Sequence, residues 1–287
     1  MPVSSPAVPL WRLHLLHSGL PVGAVAAAFI AGTSALLGVP IDAGLLALGF
    51  CGTALVYLVD RAADWSPEDV VNRPSRARWR DQARSLIYGE AAVLALGGTL
   101  ALTAVRLETI GAGMAIGLVG ALHVLPVLPG GRRLKAWSLW KPLTIGLAWA
   151  AGGVVLPRIE AGAPVLSTES VHLAVYRFLF VAPNVLLADW IDREGDAAAG
   201  LTTIGTALSL RTLQIISTVA LTVAVGMALR WGGHAGALGV WAVDAVGPAL
   251  LLGAVWRLRP SATHRSTLLL DLIVAWPGVT LGVALLQ

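Results

Sequence analysis

Two acidic clusters interrupt an otherwise apolar chain, "YLVDRAADWSPEDVVNRP" from Tyr57 and "LADWIDREGDAAAG" from Leu187. Asp60 and Asp64 are four residues apart, as are Asp192 and Asp196, so each pair shares one helix face. Asp189 lies three residues before Asp192 and joins it on that side, whereas Glu194 points away toward solvent. Carboxylates gathered on one face repel unless a cation binds between them. Such a surplus of acids is either a magnesium site for a phosphorylated ligand or a solvated loop. Each cluster sits where a long apolar run ends, and that setting favours the metal reading, with Asp60, Asp64, Asp189, Asp192 and Asp196 as candidate ligands.

A basic stretch, "HVLPVLPGGRRLKAWSLWK" from His123 to Lys141, lies between them. Its prolines and glycine pair end an apolar run and open a loop. Arginine grips phosphate oxygens with a fork and lysine offers a movable point charge. Arg133 and Lys135 are therefore candidate phosphate contacts, against the plainer role of anchoring a membrane loop.

The elements that position these groups are membrane helices. Hydrophobic residues make up 56% of the 287 and charged ones 13%, about half the usual share for a soluble domain. Nine apolar spans are expected, near 18–37, 43–60, 84–104, 108–126, 141–157, 171–189, 204–229, 236–256 and 266–286. The first is too long for a signal peptide and lacks a clear cleavage site. A cytoplasmic N-terminus puts all but Arg106, Arg158, Arg177 and Arg230 of the 20 Lys and Arg residues on the inner side. Both acidic clusters and the basic loop then share the cytoplasmic face. The net charge of +4 reflects this distribution and points to no nucleic acid. A single cysteine, Cys51, excludes a disulfide framework, and most of the 11 Trp are expected at the membrane interfaces.

Finer features follow. Ser66, Pro67 and Asp69 predict a short surface helix broken by Pro74, which gives Glu68 and Asp69 a capping alternative to metal binding. Arg76, Arg78 and Arg80 are expected at lipid head groups, and Arg73 is tied to the acidic cluster. Asn184 lies eight residues before Asp192 on a similar face and either contacts substrate or bonds a neighbouring helix. Glu90 and Asp271 lie inside spans as candidate proton acceptors or silent helix partners. Arg177 and Asp244 lie 12 and 13 residues from the inner ends of their spans, about 18 and 20 Å by helix rise, and are expected to pair.

The chain resembles the UbiA superfamily of intramembrane prenyltransferases over nearly its whole length. The resemblance rests on the nine spans, the acidic motifs after the second and sixth, and the basic loop after the fourth. Asp60 and Asp64 match the last two acids of the family's first motif, and Asn72 to Pro74 match its "NRP". Asp192, Glu194, Gly195, Asp196 and Gly200 match the second motif, and Arg133 to Lys135 match "RLK", with His123 at the family's tyrosine. Two positions depart from the pattern. Val56 and Tyr57 stand where the family has Asn and Asp, and a neutral phenol cannot replace a hard carboxylate ligand.

The resemblance implies one all-α membrane domain over 1–287, a UbiA-like bundle of about nine helices with a cytoplasmic-side active-site cavity, in a bacterial-type inner membrane. It implies Mg2+, an isoprenoid diphosphate substrate, a hydrophobic or aromatic acceptor, and lipid around the bundle. Magnesium on the acids would help diphosphate leave an allylic carbon, with Arg73, Lys135 and Lys141 stabilising the departing oxygens. Tyr57, His123, Arg133 and Asn184 complete the expected substrate contacts. Terpene cyclisation without an acceptor and a non-catalytic isoprenoid-lipid carrier are the alternatives.

Overall fold

The computed structural model describes residues 9–62, 68–125, 140–259 and 264–286. Those residues form fifteen helices: α1 (Leu10–His17), α2 (Leu20–Leu36), α3 (Ala43–Ala62), α4 (Glu68–Asn72), α5 (Pro74–Gln82), α6 (Arg84–Leu102), α7 (Leu107–Val124) and α8 (Trp140–Glu160), followed by α9 (Thr168–Ile191), α10 (Arg193–Ala198), α11 (Ile204–Ala207), α12 (Leu210–His234), α13 (Leu238–Arg257), α14 (His264–Val274) and α15 (Pro277–Ala284). Backbone groups in hydrocarbon must bond within their own segment, so apolar runs of this length become helices.

Eight stretches are long and apolar enough to cross a membrane, with α1 and α2 counted together and α14 and α15 counted together. The shorter apolar helix α7 is the ninth rod, in line with the expected number. The rods form a ring in which α3, α7, α8, α9, α12, α13, α15 and α2 each pack on the next, and α2 returns to α3. Helix α6 packs on the outside of α3. Helices α2 and α15 meet at Gly32, where a β-carbon would lie 1.8 Å from the Pro277 carbonyl oxygen. Only glycine permits that approach.

Three expectations change. The seventh span begins at Leu210 rather than 204, because Ser209 accepts a hydrogen bond from the Thr212 amide and starts a new helix, leaving α11 separate. Pro74 breaks the surface helix and also opens a second one, with non-helical Arg73 between α4 and α5. Helix α5 turns Arg76 and Trp79 inward, so Arg76 is buried rather than set among head groups; Arg78 stays exposed.

Helix α1 packs on α5 in this region. Trp79 donates to His14 Nδ1 at 3.1 Å, His14 Nε2 lies 3.0 Å from Glu90 Oε2, and the Gly19 amide donates to Glu90 Oε1 at 3.0 Å. Glu90 is thus a tie between helices, one of the two roles its sequence position offered.

Candidate active site

The second acidic cluster forms where α9 ends. Asp192 is both the last cap of α9 and the first of α10, and Asp196 follows on α10. Arg73 reaches it from the first cluster across 119 residues of chain: its Nη2 donates to both Asp192 carboxylate oxygens, at 2.9 and 3.2 Å. Asn72 beside it donates to the Asp192 carbonyl at 2.7 Å and accepts from the Gly195 amide at 2.8 Å. A β-carbon at Gly195 would lie 2.4 Å from the Asn72 side chain, so this residue must be glycine for the two loops to lock.

Lys141, in the first turn of α8, pairs with the fully buried Asp189. Asp192 and Asp196 also stand close enough to act on its charge, so its ammonium sits in an acidic surround. The pairing takes up the carboxylate that the sequence offered to a metal. Asp196 is buried and accepts from Thr203 Oγ1 at 3.0 Å. Burial pushes its carboxyl up to about 6, with Lys141 and Thr203 acting in the opposite direction. A cation nearby is what keeps such a group ionised.

Asp60 and Tyr57 lie on the last turns of α3. Tyr57 lines a narrow cavity with Trp149, Asn184, Asp271 and apolar residues of α2, α8 and α9. Asn184 Nδ2 donates to Asp271 at 3.2 Å, so it bonds a neighbouring helix while also facing the cavity. Asn184 is eight residues before Asp192, about 12 Å deeper by helix rise. The cavity therefore lies inward of the charged layer. Asp64, Arg133 and Lys135 fall outside the described residues; His123 lies in the last turn of α7, and its side chain is likewise outside them.

The structure pairs Arg73 with Asp192 and Lys141 with Asp189, puts Asp196 on the next helix with Thr203, and sets Tyr57 and Asn184 on the cavity inward of them. Sequence reasoning passed over Arg61, which it treated only as an inner-face charge. Its signal was position, one residue past Asp60 on a face that turns inward.

Neither a family profile nor a curated protein sequence matches the chain. Solved structures do. A UbiA homolog from Archaeoglobus fulgidus bound to GPP and Mg2+ is 13% identical, with a TM-score of 0.65 over 96% of this chain and 100% of that one. The apo structure of a UbiA homolog from Aeropyrum pernix is 14% identical, with a TM-score of 0.62 over 98% of both chains. A digeranylgeranylglyceryl phosphate synthase is 15% identical, with a TM-score of 0.60 over 97% and 99%. Over nearly its full length, then, the chain carries the fold of the UbiA homologues.

Proposed function

We propose that the chain is an intramembrane prenyltransferase that ionises an isoprenoid diphosphate and passes the prenyl group to a hydrophobic acceptor. The observation that carries this is the lock of Asn72 and Arg73, at the end of the first acidic stretch, onto the second acidic cluster. Similar folds that hold GPP or DMAPP with Mg2+ support it.

Among the described residues no three metal-ligating side chains stand together as a ready cage. The donor chemistry still fits a hard cation, because Asp192 and Asp196 are oxygen donors in a pocket that already attracts Lys141. Asp192 and Asp196, with Asp60 and Asp64 from the first cluster, would hold magnesium, which when bound supplies positive charge to the leaving diphosphate. Arg73 and Lys141 bind phosphate oxygens, and Asp189 orients Lys141. Arg133, Lys135 and His123 would supply further contacts to the phosphate oxygens. Tyr57, Trp149 and the apolar helix walls exclude water from the allylic cation. The bundle would lie with this mouth on the cytoplasmic side, by the distribution of positive charge.

The test is reconstitution of the full chain in vesicles with defined isoprenoid diphosphates, following inorganic diphosphate release with and without Mg2+. Release that requires Mg2+, with a prenylated acceptor in the mass spectrum, supports the proposal. A cyclised hydrocarbon formed without acceptor identifies a cyclase, and binding without release identifies a carrier.

A further inference from the structure

We infer that Asp271 is the proton acceptor of the reaction, taking its proton from a hydroxyl-bearing acceptor held in the cavity, with Asn184 positioning the carboxylate; this rests on the reading of the chain as a prenyltransferase. Asp271 stands on α14, which packs on α9, α13 and α2, and it lines the narrow cavity with Tyr57, Trp149 and Asn184. The remaining walls are valine and isoleucine side chains. A carboxylate set in such walls inside a membrane bundle loses hydration, so it needs either a full set of partners or chemistry to perform.

Its partners are few. Asp271 Oδ1 accepts from Asn184 Nδ2 at 3.2 Å, and no Lys, Arg or His among the described residues lies within ion-pair distance of it. Arg61 and Arg73 stand near enough to attract its charge, and Asp192 near enough to repel it. Asp271 Oδ2 makes no hydrogen bond among the described residues. The Asn184 residue is 8% exposed, and its amide oxygen is buried without a donor. Two acceptor oxygens thus stand together at the cavity, and neither has a hydrogen to accept. An ionised diphosphate brings only more acceptors and cannot serve them. A hydroxyl group on an apolar body can.

The step balances as an exchange between two layers. The allylic C–O bond breaks, and its electron pair leaves on the diphosphate in the charged layer. A lone pair of the hydroxyl oxygen forms the new bond to the allylic carbon. The O–H bond breaks, its proton passes to Asp271 Oδ2, and water takes the proton when the product leaves. The competing explanation is a protonated Asp271 closed in a ring with the Asn184 amide, serving only to tie α14 to α9. Asp271→Asn keeps such a tie, because an amide offers the same donor and acceptor, but it removes the proton acceptor.

The experiment gives the full, purified chain in lipid vesicles geranyl diphosphate and Mg2+, with dodecanol or naphthol as hydroxyl probes and their methyl ethers as controls. Diphosphate release is followed beside thermal unfolding and binding of the unreactive thiolo analogue of geranyl diphosphate. Release is expected to rise with the hydroxyl probes and not with the ethers. Asp271→Asn is expected to bind the analogue as the parent does and to lower kcat about 100- to 10,000-fold, the range of a lost general base. Asp271→Glu should recover part of that loss, and Asn184→Ala should lower kcat several-fold. An infrared difference spectrum, parent minus Asp271→Asn with the analogue bound, should show the bands of an ionised carboxylate. The carbonyl band of a protonated acid in that spectrum overturns the inference, and so does a folded Asp271→Asn variant with the parent's turnover. Equal release with hydroxyl probes and ethers overturns it as well. Each of these leaves the proposed function standing if the parent still binds the analogue and releases diphosphate with Mg2+. Should Asp271→Asn fail to fold, the parent minus Asp271→Glu spectrum decides the ionisation state. A parent chain that neither binds the analogue nor releases diphosphate removes the proposed function and this inference together.

Discussion

Arg73–Asp192 and Arg177–Asp244 pair the same two side chains in opposite settings. The second pair lies in mid-bundle with both side chains 0% exposed, and its bonds form a closed set. Arg177 donates to both Asp244 oxygens at 2.8 and 3.2 Å and to Thr33 at 3.0 Å. Tyr176 and Thr280 donate to Asp244 at 2.6 and 2.7 Å, and Phe29 and Tyr176 cover the guanidinium. One positive and one negative charge meet there, and each has further polar partners. The first pair is 16% and 19% exposed and stands among Lys141, Asp189, Asp196 and Arg61. That mixture of charges, partly open to solvent, is where the proposed diphosphate would bind, while the sealed pair holds α9, α13, α15 and α2 together.

The largest expected effect lies at the mouth. Asp192→Ala and Asp196→Ala should each abolish Mg2+-dependent diphosphate release, with thermal unfolding close to the parent's. Full activity in the Asp192 variant would show that the acids are not the metal site.

At the sealed pair the effect should fall on stability. Asp244→Ala strands a buried guanidinium and should destabilise the bundle by about 3–5 kcal/mol. Replacing Arg177 and Asp244 together with apolar residues should cost far less. Chemical unfolding in detergent measures both, and equal losses would mean that the pair's charges do not govern its stability.

Why these two regions differed in legibility follows from the same contrast. Opposite charges deep in a span are rare, so matching depth alone was enough to pair Arg177 with Asp244. Nine apolar runs likewise carried the spans. The bridge through Asn72, the pairing of Lys141 with Asp189 and the burial of Arg61 and Arg76 were not legible. Each depends on which face a short helix presents, and α4, α5 and α10 are too short and polar to show a hydrophobic period. The docking of α1 on α5 was not legible either, because its eight residues precede the expected first span and are too few to show a helical period.

A smaller effect is expected at the loop lock. Gly195→Ala forces the Asn72 side chain aside and should lower turnover about tenfold, as misplacement near a reacting centre does. Asn72→Ala should produce a similar loss. Turnover unchanged in both would separate the lock from the chemistry. Glu68→Ala should be milder than any second-cluster change, because Glu68 opens the short helix α4, where a capping role is available to its carboxylate. A loss as deep as that of Asp192→Ala would move Glu68 into the site.

The central claim is that the two acidic clusters form one site for metal and diphosphate. An experimental structure with Mg2+ and an unreactive prenyl diphosphate analogue tests it most directly. The account predicts the diphosphate between the two clusters, with the Asp60 and Asp192 carboxylates within about 15 Å of each other, given Mg–O bonds of about 2.1 Å. Carboxylates farther apart than that, or a diphosphate held by only one cluster, would contradict it.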